Sequence, residues 1–154
     1  MTPVALRRFR VLGVQAMIHH RHRVGFAEVD AAGIAFFSRA FEIAHAAFET
    51  ALAEIGMPLG EILRQNVWVM PLVHAEADYR VPMRLGDELL VEVTVEKIGR
   101  SSVTFNFRFT SGQGAVDHGR SALSHLFQDA SWLGKARRER GGAVGRTFFL
   151  MYFF

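Results

Sequence analysis

Asp30 is the acidic residue best placed for chemistry, because it lies between an extended segment and a helix. Residues 18–29 are predicted to form a strand, and the turn-like sequence Asp-Ala-Ala-Gly follows at 30–33. The predicted helix begins at Phe37, and the first N–H groups of a helix carry a partial positive charge. Such donors can stabilise a carbonyl oxygen as it becomes an anion, while a carboxylate attacks the carbonyl carbon or activates water. An aspartate that only caps a turn gives the same pattern, and the spacing alone favours that simpler interpretation.

Histidine clusters raise the question of metal binding. His19, His20 and His22 lie on the first strand, where alternation puts His20 and His22 on one face. No third ligand is evident, so we interpret the cluster as a basic surface strand and predict no metal site. The chain has no cysteine, which excludes disulfides, thiolate metal sites and a cysteine nucleophile, and which favours a cytoplasmic location.

One long helix is predicted over residues 37–55. Its apolar side chains recur at spacings of three and four and form a single stripe, which consists of Phe37, Phe41, Ala44, Phe48, Leu52 and Ile55. Gly56 fits the position after the last helical turn, and Pro58 prevents the helix from continuing. Residues 59–66 are predicted to form a short helical turn or a loop.

Four strands are predicted after the helix, at residues 67–81, Asp87–Ile98, Ser102–Thr110 and 115–127. The second and third of these alternate apolar and polar side chains, which is typical of antiparallel strands with one buried face. Gly99-Arg100 predicts a tight hairpin between them. The order of strand, helix and four strands indicates an α+β domain with the helix on one face of the sheet.

The charge of the chain is divided unevenly. Residues 1–17 and 128–154 each carry a net charge of +3, whereas residues 18–127 carry −3. An acidic body argues against nucleic-acid binding by the folded domain, and no apolar run reaches the roughly 18–20 residues that cross a membrane. We predict one domain at 18–127, an N-terminal extension at 1–17 and an atypical C-terminal segment at 128–154, which includes a loop and an aromatic end.

Four segments together resemble the 4-hydroxybenzoyl-CoA thioesterase family. They are FAEVDAAGIAFFSRAF at 26–41, HAAFE at 45–49, PLVHAEADYRVPMRLGD at 71–87 and EKIGRSS at 96–102. Their combination is most similar to the 1,4-dihydroxy-2-naphthoyl-CoA hydrolase branch. The resemblance implies a hot-dog fold, in which a five- to six-stranded antiparallel sheet wraps a long central helix. It also implies hydrolysis of an aromatic acyl-CoA by a homodimer, with a tetramer as the expected assembly, and without a metal or organic cofactor.

The same resemblance implies the groups that react with the thioester. Asp30 matches the catalytic carboxylate, which acts as a nucleophile or as a general base, and Gly33 belongs to its turn. The backbone N–H of Phe37 matches the donor that polarises the thioester carbonyl. Phe37 stands where many bacterial members have a histidine, which argues against the acid–base arrangement of that branch. Glu28 stands where many members have a first aspartate, and no chemistry is assigned to it.

Further residues match the positions that bind the substrate. On the acyl side, His45 either contacts the ring of the acyl group or is a core histidine. Glu49 either orients the His45 imidazole or is a solvated helix residue. His74 is a weaker substrate contact. Lys97, Arg100 and Ser101 match the region that binds the CoA phosphates. A solvated hairpin charge is the simpler explanation for Lys97 alone, whereas Arg100 together with Ser101 favours phosphate binding. The alternative function is a non-catalytic acyl-CoA-binding hot-dog protein, which the intact segment from Asp30 to Gly33 disfavours.

Overall fold

The computed structural model describes residues 17–65, 68–112, 114, 116–126 and 128–129. Its elements in chain order are β1 (Ile18–Arg23), a 3-10 turn (Phe26–Glu28), α1 (Arg39–Glu54), α2 (Leu59–Gln65), β2 (Trp68–Val69), β3 (Leu72–Tyr79), β4 (Glu88–Ile98), β5 (Ser102–Ser111), β6 (Val116–Leu126) and β7 (Gln128–Asp129). The predicted extension before residue 17 and the predicted loop and aromatic end lie outside the described residues. The domain boundaries therefore stay a prediction.

Five strands form one antiparallel sheet in the order β1-β4-β5-β6-β3. The short strands β2 and β7 pair separately. The β4–β5 hairpin closes where the Gly99 N–H donates to the Ser102 carbonyl at 2.8 Å. These observations confirm the predicted α+β class, the antiparallel sheet and the hairpin at Gly99-Arg100.

The core lies between α1 and one face of the sheet. Alternate residues of β4 and β5 are buried there, namely Leu89, Val91, Val93, Val103, Phe105, Phe107 and Phe109. The opposing stripe of α1 buries Ala40, Ile43, Ala44, Ala47, Phe48, Ala51 and Leu52. The alanines let the helix approach the sheet closely, and Phe48 meets Phe105 edge to face at 4.9 Å. Burying one large apolar side chain contributes about 1.5–3 kcal/mol, so this layer dominates the stability of the domain.

Three predicted elements differ from the structure. The single strand predicted over residues 67–81 is divided into β2 and β3, and β2 pairs with β7 instead of joining the five-stranded sheet. β1 ends at Arg23 rather than at residue 29, because the chain turns at Gly25, whose N–H donates to the Glu28 carboxylate at 2.6 Å. α1 begins at Arg39, so Phe37 precedes the helical periodicity, and its side chain is 62% exposed instead of joining the apolar stripe. At the other end, Gly56 takes the positive φ of 74° that the sequence pattern predicted.

Candidate active site

A tight turn presents Asp30 at the surface. The Asp30 N–H donates to the Ile34 carbonyl at 2.9 Å, and the Gly33 N–H donates to the Asp30 carbonyl at 3.0 Å. Gly33 has a φ of 71°, a conformation that favours glycine. The Oδ1 atom of Asp30 accepts the N–H groups of Ala32 at 2.8 Å and Ile34 at 3.2 Å. One carboxylate oxygen therefore caps the turn, whereas no hydrogen bond to Oδ2 is found among the described residues.

The turn is fixed to the rest of the domain on both of its sides. The Leu85 N–H donates to the Gly33 carbonyl at 3.0 Å, and the Ala35 N–H donates to the Met83 carbonyl at 2.8 Å. On the other side, Nε2 of His22 lies 2.9 Å from the Glu28 carboxylate, which also accepts the Gly25 N–H. Because these contacts hold the strand-like segments that flank Asp30, the carboxylate has a defined position without being buried.

The start of α1 lies a few residues beyond Asp30. The Phe36 N–H donates to the Glu28 carbonyl at 3.0 Å, and the Arg39 N–H donates to the Phe36 carbonyl at 2.8 Å. In the part of the chain that the structure describes, the Phe37 N–H has no hydrogen-bond partner. The Phe37 carbonyl, in contrast, accepts a hydrogen bond from the hydroxyl of Tyr79 at 2.5 Å. The turn and the helix start therefore bring a carboxylate and a free N–H donor into one short segment.

His45 lies on the second turn of α1 and is half-buried. Its Nδ1 atom lies 3.0 Å from the Phe41 carbonyl, so Nδ1 must carry the proton in this bond. In the neutral imidazole, Nε2 is then an acceptor. Glu49 is exposed on the next turn, and no hydrogen bond joins it to His45 among the described residues.

A second histidine beside His45 was not singled out from the sequence. His125 on β6 is only 3% exposed, meets the His45 ring edge to face at 6.0 Å, and stacks on Phe48 at 4.6 Å. Its Nδ1–H donates to the Met70 carbonyl at 3.2 Å, and Nε2 is buried without a partner among the described residues. Burial, reinforced by His45, lowers the pKa of His125 to about 4. Strand alternation from Leu123 could have revealed that His125 faces the core.

His74 lies on the face of the sheet that is opposite to α1. It pairs across the strands with Ser124, whose hydroxyl meets that of Thr104 at 2.9 Å on the same outer face. The His74 ring is exposed, and its Nε2 atom lies 3.3 Å from the Glu76 carboxylate. Its predicted role as a substrate contact stays a prediction, since no contact joins it to the Asp30 segment within the described residues.

The residues predicted to bind the CoA phosphates lie around the β4–β5 hairpin. Lys97 and Arg100 are exposed, and Ser101 is half-buried. Asp30 lies near the other end of β4, because its turn contacts Arg84 and Leu85 just before that strand begins. Since β4 has 11 residues, its two ends lie roughly 33 Å apart at about 3.3 Å per residue. Within one chain, the structure therefore separates Asp30 from the predicted phosphate contacts.

The histidines of β1 have partners other than a metal. His20 and His22 share a strand face, as predicted, with ring centroids 6.5 Å apart. Nδ1 of His20 lies 2.9 Å from the Thr50 hydroxyl on α1, and burial, reinforced by His22, lowers the pKa of His20. Among the described residues, no group of three or more His, Asp or Glu side chains is arranged to hold a metal ion.

The outer face of the sheet carries an open groove of about 300 Å³. Three arginines line it, but each already meets a carboxylate: Arg80 and Arg108 approach Asp117 at 2.7 and 3.3 Å, and Arg120 approaches Asp78 at 3.0 Å. Exposed pairs of this kind contribute little to stability, because water and salt screen them. The groove is therefore a charge-balanced polar surface rather than a free anion site.

The packing of one long helix against a five-stranded antiparallel sheet is the arrangement of the hot-dog fold. The structure is similar to that of a 1,4-dihydroxy-2-naphthoyl-CoA thioesterase from Synechocystis, with a TM-score of 0.69, 24% identity, and coverage of 74% of this chain and 83% of that one. A family model described as the thioesterase-like superfamily matches residues 24–137. The chain belongs to that superfamily, which confirms the family resemblance of its motifs.

Relatives that carry the name 1,4-dihydroxy-2-naphthoyl-CoA hydrolase are similar in sequence. One from Synechococcus elongatus is 35% identical over 89 residues, which are 56% of this chain and 65% of the relative. Another, from a Synechococcus species, is 32% identical over 113 residues, which are 70% of this chain and 74% of the relative. The chain thus spans slightly less than two thirds of the first of these relatives and about three quarters of the second. Among the described residues, no helix is long and apolar enough to cross a membrane.

Proposed function

We propose that this protein is an acyl-CoA thioesterase that hydrolyses an aromatic acyl-CoA of the hydroxybenzoyl or 1,4-dihydroxy-2-naphthoyl type. The observation that carries the proposal is the pairing of an exposed Asp30 turn with a helix start whose Phe37 N–H has no hydrogen-bond partner among the described residues. Membership of the thioesterase-like superfamily and the names of the similar hydrolases support this choice of reaction and substrate class.

Asp30 acts on the thioester through the oxygen that the turn leaves free. Oδ1 is occupied by two N–H groups, so Oδ2 either attacks the carbonyl carbon or takes a proton from the water that attacks it. The carbon–sulfur bond breaks, CoA leaves as the thiol, and the acyl group leaves as a carboxylic acid after water has been added. In the nucleophilic route, water hydrolyses an intermediate anhydride with Asp30.

The Phe37 N–H stabilises the negative charge that develops on the thioester oxygen. A donor of this kind is typically worth about 3–4 kcal/mol of transition-state stabilisation. Its side chain is not needed for this role, and the exposed ring packs against Phe36 with centroids 4.8 Å apart. The exposed rings also offer an apolar surface for an aromatic acyl group.

Acyl selection is assigned to the α1 residues beyond this start. Because the Nδ1–H of His45 is held by the Phe41 carbonyl, its Nε2 can accept a hydrogen bond from a hydroxyl on the acyl ring. Glu49 is exposed one turn later and is assigned an auxiliary role beside His45. His74 on the outer face is retained only as a weaker contact.

A homodimer supplies the complete site in this proposal, with a tetramer as a further assembly. Asp30 and the hairpin residues Lys97, Arg100 and Ser101 lie at opposite ends of β4. A site that uses both groups therefore takes Asp30 from one chain and the phosphate contacts from the other. Arginine can bind a phosphate in a bidentate manner, whereas lysine acts as a point charge. The reaction uses no metal and no organic cofactor.

The direct test is the release of free thiol from 4-hydroxybenzoyl-CoA and 1,4-dihydroxy-2-naphthoyl-CoA. Asp30→Asn keeps an oxygen that can accept the two N–H groups of the turn, but it removes the carboxylate. We expect kcat to fall about 10²-fold or more, the scale of a lost acid–base group, with an unchanged thermal unfolding midpoint.

Asp87→Asn is the matched control, because the Asp87 carboxylate also caps a turn, accepting the Arg84 N–H at 2.7 Å. We expect this variant to keep its activity. Near-full activity of Asp30→Asn would refute the mechanism. Binding of both esters without any thiol release by the unaltered protein would instead favour the non-catalytic acyl-CoA-binding alternative.

A further inference from the structure

Tyr79 connects the end of β3 to the start of α1. Its hydroxyl donates to the Phe37 carbonyl at 2.5 Å, a contact between residues 42 positions apart in the sequence. The Tyr79 ring is 51% exposed, so the side chain is not a core residue that happens to carry a hydroxyl. This bond is therefore a specific connection between the sheet and the segment that carries the proposed oxyanion donor.

The bond completes the restraint of the backbone on both sides of Phe37. On one side, the peptide between Phe36 and Phe37 is held by the Arg39 N–H, which donates to the Phe36 carbonyl at 2.8 Å. On the other side, Tyr79 holds the carbonyl of the peptide between Phe37 and Ser38. With both peptide planes restrained, the direction of the Phe37 N–H is fixed before a substrate arrives.

The surrounding strands fix the position of Tyr79. It pairs with Gly119 on β6, and a Cβ atom at Gly119 would lie 2.0 Å from the Asp78 carbonyl oxygen. Just beyond Tyr79, the Arg80 N–H donates to the His118 carbonyl at 3.0 Å. Partial burial raises the pKa of Tyr79, which favours the protonated hydroxyl that donates to Phe37.

We propose that Tyr79 is a positioning residue of the thioesterase site. Its hydroxyl holds the Phe37 carbonyl, and this restrains the backbone at Phe37 so that the N–H of the preceding peptide, that of Phe37, faces the thioester oxygen. This inference rests on the proposed function, because it assigns Tyr79 a role in the same reaction. A donor that is already oriented does not have to reorganise as the charge develops, which is the source of this kind of electrostatic stabilisation.

Tyr79→Phe removes only the hydroxyl and tests the inference directly. We expect kcat for thiol release to fall about five- to tenfold, the scale of one hydrogen bond, while KM changes by less than about twofold. The loss falls on kcat because the Phe37 N–H acts mainly on the oxyanion of the transition state. A merely structural role would lower the unfolding midpoint without this division between kcat and KM.

Two further variants separate the hydroxyl from its surroundings. Tyr79→Leu removes the ring as well and should lower kcat to the same extent as Tyr79→Phe among the molecules that remain folded. Thr104→Val removes a hydroxyl that bonds Ser124 on the outer face, and it should leave both kinetic constants unchanged.

The inference is wrong if Tyr79→Phe keeps the kcat of the unaltered protein while Asp30→Asn loses it. It is also wrong if Tyr79→Leu alone is impaired, because the ring and not the hydroxyl would then matter. If the unaltered protein releases no thiol from either ester, the proposed function and this inference fail together.

Discussion

The buried imidazole of His125 makes the stability of the protein depend on pH. Burial lowers its pKa from the ordinary value of 6.5 to about 4, so the folded protein resists a proton that the unfolded chain accepts. The free energy of unfolding that comes from this pKa difference is fully present above about pH 6.5, where His125 is neutral in both states. It falls as the pH decreases toward 4, because only the unfolded chain binds the proton, and it levels off below that value. The difference between the two pKa values of His125 corresponds to about 3 kcal/mol of unfolding free energy, which is a large part of the stability of a small domain.

His125→Phe should remove this part of the acid sensitivity. The phenyl ring can still stack on Phe48, but it cannot bind a proton. The free energy of unfolding is measured with urea at pH values of about 7, 5.5 and 4. Between the highest and the lowest of these values, the variant should lose less stability than the unaltered protein, by up to about 3 kcal/mol. The same substitution at exposed His74 is the control. An equal acid sensitivity of the His125→Phe variant and the unaltered protein would contradict the prediction.

At Asp30, the two interpretations that the sequence left open describe different oxygens of one carboxylate. Oδ1 caps the turn, as the local pattern of aspartate and glycine predicts, because its partners lie only two and four residues away. Oδ2 is the oxygen to which the catalytic role is assigned. Sequence spacing could place the turn next to a helix, but only the family resemblance pointed to thioester chemistry.

At the scale of the elements, the helix and strands that bury only one face are the ones that the sequence predicts correctly. The stripe of α1 and the alternation in β4 and β5 were predicted because a single buried face imposes a period on the sequence. The end of β1 is set by the local contact from the Gly25 N–H to the Glu28 carboxylate, and the start of α1 lies beside the contact from distant Tyr79. Neither contact imposes a period on the sequence, so both bounds were misplaced. The Tyr79–Phe37 contact joins residues 42 positions apart and leaves no periodic trace.

Gly119 provides a test of how β3 and β6 are held together. Its φ of 129° and the 2.0 Å approach of the Asp78 carbonyl leave no room for a side chain. Gly119→Ala should therefore lower the free energy of unfolding by about 1–3 kcal/mol or more, as an overpacked site does. The measurement is chemical denaturation monitored by circular dichroism.

Gly60 in α2 is the matched control, since a Cβ there would meet nothing within 4 Å. Gly60→Ala should be neutral or stabilise the protein by about 0.5–1 kcal/mol, because alanine favours the helix. Equal effects of the two substitutions would show that the close approach at Gly119 has no energetic consequence.

At the scale of the whole molecule, one chain leaves parts of the fold incomplete. Among the described residues, β3 pairs only with β6, so the edge of an eight-residue strand is open. Exposed apolar side chains accompany this edge and the neighbouring helix start, namely Phe36, Phe37, Val73, Tyr79 and Val81. An open edge with apolar side chains is a surface that proteins commonly cover by association. It supports the proposed dimer independently of the separation between Asp30 and the hairpin.

A site shared between two chains predicts that two defective variants restore activity when they are mixed. Arg100→Ala should raise KM about tenfold, because a charge-assisted contact to phosphate is lost. In a dimer that mixes Arg100→Ala with Asp30→Asn, one site would carry both substitutions and the other would carry neither. Random assembly of equal amounts should restore about one quarter of the native activity at low substrate concentration, since about half of the dimers are mixed. If each chain built its own site, co-refolding the two variants would give only the average of their separate activities.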